Sequence, residues 1–442
     1  MSHDDDILDL AERVVRFAKK LGADEVACSV SEGSHVTIQR RGGKVEQATE
    51  ASTRGLTVAV LCDDRFSSNS TSDLRPEALE SFLERAVAST RYLEPEAARR
   101  QPDAALCGRG VSEAQLDQLD PVWERRTASD RASYAEALED ALRELHRDDV
   151  VSSAVYAADG HGRSIRVMSN GFSGEDEGAW FAAGGEMTLV EGDRRPESSA
   201  YFAARYLSDL PSIPEIAGEV DRRTRERLGA GPIASGTYTM LLPGRAAGRI
   251  LGMLAGPLSG GSLQQHRSCL EGKLGERIGS ERFTLIDDPT IPRGLGSRPW
   301  DGDAMRSRVR TIIEEGVLRE YDIGVYHARK LGVEPTSGGR SNWVLPTGTR
   351  GFAEIAADLP QAIEVTGFLG GNSNGATGDF SLGIRGVLWE GGQPTRSLAE
   401  MNVSGNVLQI FHQLVETGDD PWTFASVRAP TLVFEGVQFS GT

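Results

Sequence analysis

Between residues 6 and 21, Ile7, Leu10, Val14, Phe17, Ala18 and Leu21 recur at the spacing of one helix face. Lys19 and Lys20 close the last turn and Gly22 follows, so the pattern predicts a helix. The period then drops to two in short alternating stretches at 24–30, 35–39, 55–61 and 66–71, with breaks at Glu32-Gly33, Arg41-Gly42-Gly43 and Cys62-Asp63-Asp64. Helix followed by meander is the expected reading. Pro76 opens a second helix whose apolar face is Leu79, Phe82, Leu83, Ala86 and Val87. A polar connection over 94–127 precedes a long amphipathic helix at 129–147. Strands follow at 150–157, 163–169, 178–190 and 199–206, then a charged helix at 212–228. The two helix-then-meander units, 6–71 and 129–206, suggest an internal pseudo-repeat without shared residue identities.

Gly229-Ala230-Gly231-Pro232 is the best linker, which divides the chain into an N-terminal α+β domain, 1–229, and a C-terminal β-rich domain, 230–442. Beyond it the strands shorten: 237–242, 283–286, 309–313, 343–345, 362–368, 382–389 and 430–438. Helices are expected near 245–256, 322–331, 351–359 and 406–415. The fold class is α+β, mainly β in its second half.

The 442 residues carry 48 Lys+Arg against 65 Asp+Glu, a net charge of −17, which argues against a nucleic-acid footprint. No apolar run is long enough to span a membrane, and the acidic start, Asp4-Asp5-Asp6, is no signal peptide. Cys28, Cys62, Cys107 and Cys269 are scattered, as free thiols of a reducing compartment would be, and the expected location is the cytoplasm.

A visible catalytic constellation is absent. The seven histidines are too far apart in sequence for a two-imidazole zinc motif on one helix, and no GxSxG, phosphate loop or complete dinucleotide fingerprint occurs. Cys269 has His266 nearby in sequence, but a nucleophile needs its base adjacent in space, and an inert thiol is the better reading. Three glycine-bearing segments stand out. Gly244, Gly248, Gly252 and Gly256 lie on one helix face, where they predict either close packing or the border of a cleft. The acid-rich 287–303 reads as a long structural loop. The segment Gly370 to Ser381, too glycine-rich for a regular element, reads as a turn-rich loop whose amides could approach a ligand.

In this order the segments resemble the family of TldD and PmbA (TldE) proteins, named both as modulators of DNA gyrase and as peptidases. The resemblance covers nearly the whole chain. It rests on Arg54-Gly-Leu-Thr-Val-Ala-Val60, Ser68 to Leu74, Ser169-Asn-Gly-Phe172, Leu258-Ser-Gly-Gly-Ser262, Lys273-Leu-Gly-Glu276 and Thr284 to Pro289. It continues through Gly294-Leu-Gly-Ser-Arg-Pro299, Tyr326 to Gly332, Thr377-Gly-Asp-Phe-Ser381 and Ser404-Gly-Asn406. TldD-type members carry HExxxH on a helix and a later cysteine, and hold zinc; PmbA/TldE-type members lack these ligands. Here the two histidine positions fall near Gly252 and Pro257, with Met253 beside the first, and no cysteine follows Cys269. The resemblance therefore implies the branch without zinc: no catalytic or metal-binding residue in this chain, and a zinc-bearing TldD-type partner. The implied role is a non-catalytic subunit of a heteromeric peptidase acting on small or unfolded peptides, in proteolysis or in maturation of peptide natural products. Alone, such a chain is expected to form a homodimer. Ser259, Gly260, Gly261, Thr377, Gly378 and Asp379 are the candidate cleft-lining or structural motif residues. The competing reading is an autonomous peptide- or protein-binding modulator, for example of a topoisomerase. A third is a self-sufficient hydrolase built on Cys269 or a serine.

Overall fold

The computed structural model describes residues 4–441. The first half is one antiparallel sheet of six strands made by two copies of the same unit. The first unit is α1 (Asp4–Lys20), β1 (Glu25–Arg41), β2 (Lys44–Cys62), β3 (Arg65–Thr71) and α2 (Pro76–Thr90). The second is α3 (Ala128–Glu144), β4 (Val150–Met168), β5 (Ser173–Leu189), β6 (Glu197–Ala204) and α4 (Ile213–Arg225). Strand order is β3-β2-β1-β4-β5-β6, with β1 antiparallel to β4, so the units meet about a local two-fold axis. The pseudo-repeat legible in the element pattern is thus built into the sheet.

Both helix pairs cover the same face. Val26, Cys28 and Val30 of β1 and Ile165 and Val167 of β4 pack with α1 and α2, while Val155 of β4 and Phe181 and Met187 of β5 pack with α3 and α4. The two stretches expected at 24–30 and 35–39 form the single strand β1, and 150–157 and 163–169 form the single strand β4. Gly33 breaks nothing: it sits opposite Thr53 on one side and Gly162 on the other. The true reversals are two-residue turns, Gly42-Gly43 with φ of 61° and 77° and Asp63-Asp64 with φ of 49° and 61°, the left-handed pair a tight hairpin needs.

The opposite face carries Ala27, Ala59 and Met168, which pack with Cys107, Phe172, Trp300 and Ala304 and so join the two halves of the chain. The 94–127 connection holds one 3₁₀ turn and two single-turn helices, Glu113–Leu116 and Val122–Arg125. It is stitched to the second half by backbone bonds such as Gly110 N–H to Pro299 (2.7 Å).

Past the Gly229–Pro232 segment lie β7 (Gly236–Leu242), α5 (Gly244–Leu251), α6 (Ala255–Leu258), α7 (Gly260–Gln264), β8 (Leu285–Asp287), β9 (Arg310–Glu314) and β10 (Val317–Leu318). They are followed by α8 (Val325–Leu331), β11 (Trp343–Val344), α9 (Phe352–Asp358), β12 (Gln361–Ser373), β13 (Asp379–Glu390) and β14 (Gln393–Asn406). The chain ends with α10 (Val407–Ile410), β15 (Leu414–Thr417), β16 (Val427–Arg428) and β17 (Leu432–Ser440). A small sheet runs β10-β9-β8-β11-β16. The larger one runs β14-β13-β12-β7-β17-β15, and the further pairing of β14 with β17 closes it on itself. Its apolar rows, including Met240, Ile363, Leu382, Val403 and Phe434, share one core with Ile250, Leu251, Leu254 and Leu258 of the α5–α6 run. The architecture is α+β, with helices on one antiparallel sheet followed by a mainly β half. Strands β10, β14, β15 and β16 were not in the sequence pattern. Among the described residues no helix is long and apolar enough to cross a membrane.

Candidate functional site

The glycine-spaced run does not form the one helix expected at 245–256. It is α5, a 3₁₀ turn at Gly252–Leu254, α6 and, after a break at Ser259, α7. Pro257 has no N–H to extend the α ladder, and two glycines lower the cost of a change in pitch. Tight packing of the glycine face holds only at its start. A Cβ on Gly244 would lie 2.0 Å from the Ala429 carbonyl oxygen and one on Gly248 3.8 Å from Val427, whereas nothing lies within 4 Å at Gly252 or Gly256. These two glycines face open space. Met253 and Pro257 are buried.

Ser259 caps α7: its hydroxyl accepts from the Ser262 N–H (3.2 Å) and donates to the Gly256 carbonyl (2.8 Å). Gly260 allows close packing of α8, because a Cβ there would fall 2.8 Å from that of His327; Gly261 faces the same imidazole. The Gly260 N–H donates to the Asp322 carbonyl and the Asp322 N–H to the Leu258 carbonyl. Asp322 is in turn held by Arg310 (2.6 Å), which also grips Asp287 (2.7 Å); all three side chains are nearly inaccessible. The segment from Gly370 to Ser381 is regular after all: it is the end of β12, a turn and the start of β13, with bulges absorbing its glycines. Asn406 donates to the Thr377 carbonyl and to Asp379, both at 2.9 Å. That bond, with the Thr377 hydroxyl, holds the Asp379 carboxyl below the usual carboxylate range. Gly378 supplies the left-handed φ of 84°. The turn rests on the helical run: Gly375 faces the Pro257 ring and accepts the Cys269 N–H (2.8 Å). So Ser259–Gly261 form the capped start of α7 within the run, and Thr377–Asp379 belong to the hairpin turn that rests on it. The acid-rich 287–303 is a structural loop as expected, with Asp301 accepting from the N–H groups of Asp303, Met305 and Gly338.

Beside the open helix face lies a cleft of about 350 Å³ that sequence reasoning missed. Its walls are Arg223 of α4, Arg245 and Arg249 of α5, and Thr366, Gly367 and Phe368 of β12. Arg245 and Arg249, one turn apart, were the available signal; Arg223 joins them only through the packing of the two halves. Behind Arg245 a second cleft, about 460 Å³, contains the buried Glu364, which accepts from the Trp389 indole (3.1 Å) and whose carboxyl burial pushes up.

Two family models match: "PmbA/TldA metallopeptidase C-terminal domain" over residues 235–441 and "PmbA/TldA metallopeptidase domain 1" over 26–90. A crystal structure of a Bacteroides thetaiotaomicron protein named for modulation of DNA gyrase superposes with a TM-score of 0.94 at 34% identity, over 98% of each chain. The chain belongs to the PmbA/TldD family. Escherichia coli O157:H7 metalloprotease PmbA is 24% identical across 98% of this chain and 96% of its own length. TldE of Thermococcus kodakarensis shares the fold, with a TM-score of 0.87 at 21% identity over 98% of this chain and all of that one.

Zinc, which the resemblance implies for the TldD-type branch, does not fit the side chains at the helix. Gly252 and Pro257 have no donor atom, Met253 lies in the core, and a catalytic zinc needs about three nitrogen, sulfur or carboxylate ligands. Among the described residues no three of His, Cys, Asp or Glu are grouped to hold a metal. The Cys269 alternative fares poorly too. Burial pushes its thiol up, away from the thiolate, and His266 is turned to Glu271 at 2.6 Å. No described base hydrogen-bonds the sulfur.

Proposed function

We propose that this chain is the PmbA/TldE-type, non-catalytic subunit of a heteromeric metallopeptidase that cleaves small or unfolded peptides. The observation that carries the reading is the α5–α7 run. The serine cap and the Asn406-braced hairpin, both in segments that carry the family resemblance, hold the run in place, yet Gly252 and Pro257, near which the histidines of the zinc branch would fall, have no donor atom. In this reading the metal, the attacking water and the general base belong to a TldD-type partner, and this chain supplies walls of the compartment in which the peptide lies. The open face at Gly252 and Gly256 and the arginine cleft beside it supply room and polarity for that task. The net charge of −17 makes direct binding to DNA an inferior alternative.

Mixing the purified chain with a TldD-type chain that carries HExxxH tests this. The expected outcome is a stable hetero-complex that hydrolyses an unfolded peptide, is stopped by a chelator, and is inactive when either chain is left out. Full hydrolysis by the TldD-type chain alone, unchanged by this one, would remove the proposed role.

A further inference from the structure

The cleft walled by Arg223, Arg245 and Arg249 combines two features. The first is a set of three arginines that make no direct ion pair among the described residues of an acidic protein. Arg223 and Arg249 make no hydrogen bond, ion pair or ring contact among the described residues, and Arg245 makes one, donating to the Thr366 carbonyl at 2.5 Å. Glu219 of α4 and Glu226 at its C-terminal end are both engaged by Arg222, and Glu364 is bonded to Trp389, so these acids reach Arg223 and Arg245 only through space. The cleft itself is walled by no acid. Burial, and then the neighbouring Arg245, lower the Arg223 guanidinium to about 10, outweighing the opposing pull of Glu219 and Glu226.

The second feature is a free strand edge. Strand β12 pairs with β7 only from Ala362 to Glu364, because β7 ends at Leu242 and turns into α5. From Thr366 onward one edge of β12 is bonded to β13 and the other has no strand beside it among the described residues, and the side chains become half-buried and then, from Leu369, exposed. An unpaired edge presents N–H and C=O groups to an extended chain, and arginine forks match a carboxylate.

We propose that this cleft is a carboxylate site, which holds the C-terminal carboxylate of an extended peptide lying along the free edge of β12. Arg223 and Arg249 take the carboxylate, and Arg245, already anchored on Thr366, fixes the floor. The inference rests on the peptide-handling role above and adds an end-specific contact to it. Anchoring the peptide's end sets how far along the chain the bond to be cut lies from this subunit.

The test is fluorescence anisotropy with the full chain and a labelled Ala/Ser/Thr peptide in three forms: free acid, C-terminal amide, and amide with one internal Asp. The free acid should bind about tenfold more tightly than the plain amide, a selectivity typical of charge-assisted bonds. Arg249→Gln, at an exposed position, and Arg223→Gln should each abolish that selectivity while melting at an unchanged temperature. Binding of the Asp peptide as tightly as the free acid would assign the site to side-chain carboxylates and contradict the end-specific role. Equal binding of acid and amide, or no binding of any form, would overturn the site altogether. If selectivity is present but hydrolysis with the TldD-type partner fails, the subunit reading falls and the carboxylate site stands; the reverse pattern removes the site alone.

Discussion

At the scale of residues, glycines that look alike in sequence do opposite things. Gly244 is required, since its Cα lies so close to Ala429 that any side chain collides with backbone. Gly252 is helical, with φ −59° and ψ −21°, and open. Gly244→Ala should therefore cost about 1–3 kcal/mol through overpacking, while Gly252→Ala should stabilise by about 0.4–1 kcal/mol by restricting the unfolded chain. Denaturant titrations of both variants check this, and equal effects would contradict it. The four-residue spacing was legible; which glycine touches a neighbour was not, because Ala429 reaches Gly244 only through the tertiary fold. The same holds for the arginine cleft, where Arg223 is more than twenty residues from Arg245 in sequence. The bonds of the Ser259–Gly261 and Thr377–Asp379 segments to Asp322 and Asn406 could not be read from spacing.

Helices and helix-face patterns were the elements most legible in the sequence. Pro76 starts α2, and Lys19 and Lys20 close α1 as the charge pattern predicts. Strand continuity was harder to see. In β1 the middle, Ser31 to His35, is polar on both faces because helices cover only part of the long sheet, so the alternation fades where the strand does not. Strand β14 was invisible for a related reason. It begins after Gly391-Gly392 with the exposed run Gln393 to Arg396, and its role in closing the barrel depends on Asn402–Ser404 meeting Gln438–Ser440. At this scale the Arg310 network is the pin, linking β8 and β9 to the Asp322 backbone that fixes α6 and α7. Arg310→Met leaves two buried carboxylates unpaired and should cost about 3–5 kcal/mol. It should also speed hydrogen exchange at Gly260. Burial already raises the Asp322 carboxyl in the fold, and losing Arg310 raises it further. A carboxyl whose folded value lies above its unfolded value stabilises the fold below the unfolded value, and that contribution is lost as pH rises through the folded one. The deficit of the variant should therefore narrow as pH falls from neutrality toward about 5. A deficit independent of pH would show that Arg310 acts by packing alone.

For the whole molecule, two architectures are fused: a two-fold sheet of six strands and a closed barrel with a helical run packed on its core. The first organises long strands under a helical layer; the second places Gly252, Gly256 and the arginine cleft on one side of the run. Gly252 and Pro257 offer no donor atom, and among the described residues no three of His, Cys, Asp or Glu are grouped to hold a metal. Both support the proposal that metal chemistry belongs to another chain. The most direct measurement is the metal content of the purified, untagged chain after incubation with zinc and gel filtration. The account predicts substoichiometric zinc and no chelator-sensitive hydrolysis by the chain alone. One tightly bound zinc per chain, lost when a histidine such as His327 is replaced, would contradict it.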